Sequence, residues 1–136
     1  MMDLRYALLA LVVISLVIYS LALVLVISRR RRRKLSGPYK KFVHEQWYKI
    51  EQISDKSRVI MEADKLLDDI LSKKGKQGNL GDKLKRSEGL FPNIDAVWEA
   101  HKVRNKLAHE VDYKLSDQEA DRVIKIFKEN IFYLIG

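Results

Sequence analysis

The chain has no cysteine and only three histidines among its 136 residues. Without thiols there is no disulfide scaffold and no thiolate metal site. His44, His101 and His109 are the soft nitrogen ligands, and no HExxH or comparable pair joins them, so neither a metal nor another cofactor is expected. Strand signals are missing too. After residue 38 there is no period-two alternation and no β-branched run. Acidic residues are absent from 29–41, which carries Arg29, Arg30, Arg31, Arg32, Arg33, Lys34, Lys40 and Lys41. Residues 42–136 hold 17 positive and 17 negative side chains, so the whole net charge of +8 sits in one short segment. A basic, nucleic-acid-binding domain is therefore not what the charge describes.

What the chain does have is a run without charge from Tyr6 to Ile27, 22 residues broken only by Ser15, Ser20 and two tyrosines. As a helix it would extend about 33 Å, against a hydrocarbon core of about 30 Å. The two hydroxyls can bond carbonyls one turn back, and Tyr6 suits an interface. A cleaved leader would have a shorter apolar stretch and small residues after it, where this chain has five arginines. Residues 1–28 therefore read as a single transmembrane anchor in the inner membrane, N-terminus outside, with residues 29–136 cytoplasmic. Arg29 to Lys34 then face anionic headgroups, each charge worth about 1 kcal/mol near the surface. Residues 29–38 form the linker, ending in Ser36-Gly37-Pro38, with Pro38 in the first turn of a helix.

The remaining length suits one modest core, and residues 39–136 read as an antiparallel four-helix bundle in an otherwise all-α chain. Val43, Trp47, Ile50, Ile53, Ile60, Ala63, Leu67, Ile70 and Leu71 step by three and four with a gap near Ser54 to Ser57; one continuous first helix from about Pro38 to Leu71 is the preferred reading, and a break at that gap is the alternative. A glycine-containing loop from Lys73 to Gly81 ends it. Asn79 caps a short second helix with Leu80 and Leu84, closed by Gly89 and Pro92. A third helix begins at Asn93, and Ser116-Asp117-Gln118-Glu119 is a capping-box sequence opening the fourth. The loop lacks the GxxxxGK[ST] order and no strand precedes it, so it is not a P-loop. The basic residues in and after it, Lys73, Lys74, Lys76, Lys83, Lys85 and Arg86, can touch phosphates or simply form a solvated bundle end.

The third helix carries the chemistry. At about 100° per residue, Asp95, Glu99, Lys102, Lys106 and Glu110 fall on one, solvent-facing side. The opposite arc holds Ile94, Ala96, Val97, Trp98, Ala100, Val103, Leu107 and Ala108, and within it sit His101, Arg104 and Asn105, with His109 at its border. A guanidinium in an apolar stripe must find a partner. In one account Arg104 pairs with Glu62, Asp64, Asp68 or Asp69 of the first helix, and Asn105 and His109 tie down the turn after the third. In the other, Arg104 and His109 share a cleft and handle a phosphodiester, the planar fork holding phosphate and the imidazole moving protons.

Val103-Arg104-Asn105-Lys106-Leu107-Ala108-His109-Glu110 resembles the RNxxxH signature of the HEPN superfamily of small helical domains. Glu62 to Asp68, the glycine loop, Asp82 to Lys85 and Trp98 to Lys102 extend the resemblance over roughly residues 39–136. It implies a homodimer pairing through the third helices, with Arg and His of both chains at one cleft. In active members the match at Arg104 orients phosphate, that at His109 acts as acid or base, and Asn105 positions one of them. The products are a 2′,3′-cyclic phosphate and a 5′-hydroxyl end. The resemblance therefore allows a metal-independent endoribonuclease of the toxin or defence type, with RNA or an antitoxin-like partner, using His101, Lys83 and Lys85 for ligand contact. It equally allows a non-catalytic dimerising or regulatory module at the inner membrane face.

Overall fold

A computed structural model of the chain describes residues 3–32 and 34–136, with side chains described outside 27–32. It divides into two units, Met1–Lys34 and Leu35–Gly136. In the first, α1 (Leu4–Arg32) is the expected apolar helix. Leu4–Val26 is long and apolar enough to cross a membrane, and its large side chains are exposed around the whole helix. Ser15 and Ser20 donate their hydroxyls to the carbonyls of Leu11 and Leu16, each at 2.8 Å, so neither presents an unsatisfied group along this surface.

The second unit contains α2 (Gly37–Glu51), α3 (Lys56–Lys73), α4 (Leu80–Lys85), α5 (Ile94–His109) and α6 (Asp117–Ile135), plus a 3-10 turn at Glu88–Leu90. The expected continuous helix over 38–71 is corrected: it is two helices. The chain leaves α2 through bonds from Gln52 N–H to Lys49 and from Ile53 N–H to Ile50, and Asp55 then accepts from Ser57 N–H at 3.0 Å to cap α3. A carboxylate at an N-cap satisfies one of the donors a helix start leaves open, and here that local bond outcompetes continuation. The break falls at the gap in the apolar stripe near Ser54 to Ser57, and Ile53 just before it still packs against the core.

The other starts follow the sequence. Ser36, Asn79, Asn93 and Ser116 accept from the backbone three residues on, capping α2, α4, α5 and α6. At α6 only half of the capping box forms: Ser116 Oγ accepts from Glu119 N–H at 3.2 Å, while the Glu119 carboxylate accepts from the Tyr113 hydroxyl.

α3 lies at the centre, packing on α2, α4, α5 and α6, with the α3–α6 pair the most extensive. Ile60, Ala63, Leu67, Ile70 and Leu71 from α3 are fully buried, with Val123, Phe127 and Ile131 from α6, Val97 and Ala100 from α5, and Val43 and Trp47 from α2. Leu80 and Leu84 anchor α4 into the same core. Tyr39 ties α2 to α3 by donating to Asp69 Oδ2 at 2.6 Å, and burial, reinforced by that carboxylate, raises its hydroxyl above the phenol range.

Gly78 sets the approach to α4. Its φ is +96°, and an added Cβ would stand 2.8 Å from the Asp82 Cβ. Gly78→Ala is therefore expected to destabilise the unit by about 1–3 kcal/mol, the cost of a non-glycine residue in the left-handed region. Urea unfolding should show a lower midpoint with unchanged slope.

Candidate functional site

Asp64 is where the site begins. It lies four residues after Ile60 and three before Leu67, so the helix that buries those two also carries a carboxylate into the interior. Its side chain is 5% exposed. From α5, His101 brings Nδ1 to 2.8 Å from Asp64 Oδ1, and Arg104 brings Nε to 3.1 Å from Oδ2. The Arg104 N–H is not aligned for a hydrogen bond, so that contact is an ion pair held by charge alone. Asn105 closes the circuit: its Nδ2 is 3.2 Å from His101 Nε2, and its Oδ1 accepts from Arg104 Nη1 at 3.0 Å. His101, Arg104 and Asn105 share one flank because three- and four-residue steps return to the same side of a helix. Trp98 presents an edge to the His101 ring, centroids 6.1 Å apart.

The four side chains border a cleft of about 500 Å³, completed by Lys65 and Asp68 of α3 and by Asn79, Leu80 and Gly81 at the start of α4. Of the Arg104 nitrogens, Nη1 alone makes a hydrogen bond among the described residues, and Nη2 makes none. The arginine is thus fixed on its inner side by Asp64 and Asn105 while its outer nitrogen remains available. Among the described residues no group of three His, Asp or Glu side chains is placed to hold a metal ion.

Each of the four acids considered as an Arg104 partner has its own cation or donor. Asp64 takes Arg104, Asp68 takes Lys83 at 2.7 Å, Asp69 takes Tyr39, and Glu62 takes Lys65 at 2.8 Å. The presence of Asp64 within the apolar stripe was the signal that separates it from the other three.

The remaining expected site residues lie elsewhere. Lys83 is turned into the protein, its side chain 7% exposed and its Nζ also 2.7 Å from Ser72 Oγ, so its charge is consumed in holding α4 on α3. Lys85 is exposed and does not line the cleft. His109, the last residue of α5, is exposed, outside the cleft, and without a partner among the described residues. Five residues separate it from Arg104, a rotation of about 140° round the helix. One chain thus unites Arg104 with Asn105 and His101, but not with His109. The lipid-contact side chains expected of Arg29 to Arg33 lie outside the described residues; Lys34 is exposed. Comparison with protein-family models, curated proteins and solved structures gives no match to this chain.

Proposed function

We propose that the chain is a membrane-tethered HEPN-like module. In this reading α1 spans the inner membrane with its N-terminus outside, and Arg29 to Lys34 rest on anionic headgroups. Residues 35–136 work in the cytoplasm as a non-catalytic binding or regulatory unit that pairs with a second copy through α5. The four-helix core of that family corresponds to α2 with α3, then α4, α5 and α6. The observation that carries the reading is the engagement of Arg104. Its charge is met within the chain by Asp64, its Nη1 is spent on Asn105, and His109 is exposed and does not line the cleft. Such an arrangement presents a single oriented nitrogen to a ligand and offers no acid or base beside it from the signature histidine. The balanced charge of residues 42–136 adds little long-range attraction for RNA.

A second reading rests on His109 itself, which is exposed and has no partner among the described residues. Pairing two copies through α5 would let the histidine of one meet the arginine of the other, giving a metal-independent endoribonuclease of the toxin or defence type.

The full chain in detergent, incubated with mixed RNA in EDTA, separates the two. The expected result is intact RNA. Cleavage that falls by about 100-fold or more in His109→Ala, the scale of losing a general acid or base, establishes the nuclease and overturns the binding-module reading.

Membrane topology has its own test, made clean by the absence of native cysteine. Asp3→Cys is expected to react with a membrane-impermeant maleimide in intact cells. Tyr48→Cys, at a position 66% exposed in the second unit, is expected to react only after the cells are opened. The reverse pattern would invert the proposed orientation.

A further inference from the structure

The hydrogen bonds around Arg104 admit one arrangement of protons. A carboxylate oxygen only accepts, so His101 Nδ1 carries a hydrogen toward Asp64 Oδ1. An amide nitrogen only donates, so His101 Nε2 must be a bare lone pair facing Asn105 Nδ2. Arg104 Nη1 only donates, which fixes the Asn105 oxygen on the arginine side. The circuit closes with His101 neutral and its proton on Nδ1.

We propose that Asp64, His101 and Asn105 form a proton-operated latch that positions Arg104. Protonation at Nε2 sets an N–H against the Asn105 N–H. Rotating the amide repairs that contact by turning its oxygen to His101, but then sets its nitrogen against Arg104 Nη1. One of the two bonds to Asn105 must go. Exposure decides which: the Arg104 side chain is 24% exposed and can exchange its bond for water or a cleft ligand, whereas that of His101 is 11% exposed. Proton uptake therefore releases the outer fork of Arg104 into the cleft, while Asp64 retains the inner Nε.

The surroundings leave His101 as the group that switches. Of the charged side chains on α3 that line the cleft, Lys65 is paired with Glu62 and Asp68 with Lys83 of α4. The start of α4 contributes only uncharged residues. From α6, Arg122 is taken up by Glu99, about 200° round α5 from His101. Asn105 is the direction-sensing part, since an amide has one accepting end and one donating end.

The test uses the ¹⁵N-labelled full chain in detergent micelles, without RNA or ligand, so its result is independent of the functional reading. Imidazole ¹⁵N spectra at alkaline pH should show His101 as the Nδ1–H tautomer. On acidification, the protection of the Arg104 Nη hydrogens, after division by the intrinsic base-catalysed rate at each pH, should fall about tenfold in the same step that protonates His101, the scale of one charge-assisted hydrogen bond. In Asn105→Asp the carboxylate can accept from both neighbours, so that step in Arg104 exchange should vanish. A neutral Nε2–H tautomer, an Arg104 signal unmoved while His101 titrates, or an unchanged step in Asn105→Asp overturns the latch. Should Asn105→Asp fail to fold, the two wild-type measurements decide alone.

Discussion

Asp64→Leu should lower the stability of the helical unit by about 3–5 kcal/mol, the cost of stripping one member from a buried ion pair. The size follows from what is left behind. Arg104 keeps its charge with Nε buried, and the His101 Nδ1–H loses its acceptor, on neighbouring turns of one helix. Asp64→Asn preserves shape and can still accept from His101, yet it sets an N–H toward Arg104 and removes the charge; a loss of about 1–3 kcal/mol is expected. Asp64→Leu combined with Arg104→Met should recover part of the stability, because an apolar pair of similar volume avoids the cost of burying charge. Both tryptophans, Trp47 and Trp98, belong to the second unit, so fluorescence-detected urea unfolding of the full chain in detergent reads this unit and not α1. A neutral result for Asp64→Leu would mean that Arg104 needs no carboxylate, and the positioning of the cleft would have to come from Asn105 alone.

The same residues show what the amino-acid order discloses and what it withholds. Caps are local: Asn79, Asn93 and Ser116 satisfy donors three residues away, so reading the side chain identifies the helix start. Asp55 works by the same bond but was not read as a cap, because the apolar steps on either side of it favoured one helix over 38–71. The solvent face of α5 was legible from rotation per residue, and Asp95, Glu99, Lys102, Lys106 and Glu110 are all exposed. So was the placement of His101, Arg104 and Asn105 together. The acid that meets Arg104 was read only as one of Glu62, Asp64, Asp68 and Asp69, which crowd within two turns; the place of Asp64 in the apolar stripe sets it apart, but the pairing itself depends on how α3 is rotated against α5. That rotation is a tertiary property of the core to which the buried Ile60, Ala63 and Leu67 belong. The border position of His109 was ambiguous for a related reason: it ends the helix, beyond the last buried residue of α5, Val103.

Phe127→Ala should match the loss of Asp64 in size, about 3–5 kcal/mol, through a different mechanism. Phe127 is fully buried on the α6 stripe that continues through Val123 and Ile131, within the core built on α3. Truncation removes the ring from that core and leaves a cavity that close-packed neighbours refill only in part. Phe127→Leu retains much of the volume and should cost less, and Tyr133→Ala, at a position 60% exposed on the same helix, should stay within about 0.5 kcal/mol of wild type. The comparison with Asp64 separates core from site. Phe127 does not border the cleft, so Phe127→Ala molecules that remain folded should keep the His101 tautomer and the Arg104 contact, and lose them only as the whole unit unfolds. Asp64→Leu should disturb both signals in molecules that are still folded. If Phe127→Ala altered the His101 spectrum well below its unfolding midpoint, the α3–α6 core and the polar circuit on α3 and α5 would be one coupled structure, and the latch would answer to packing as well as to protons.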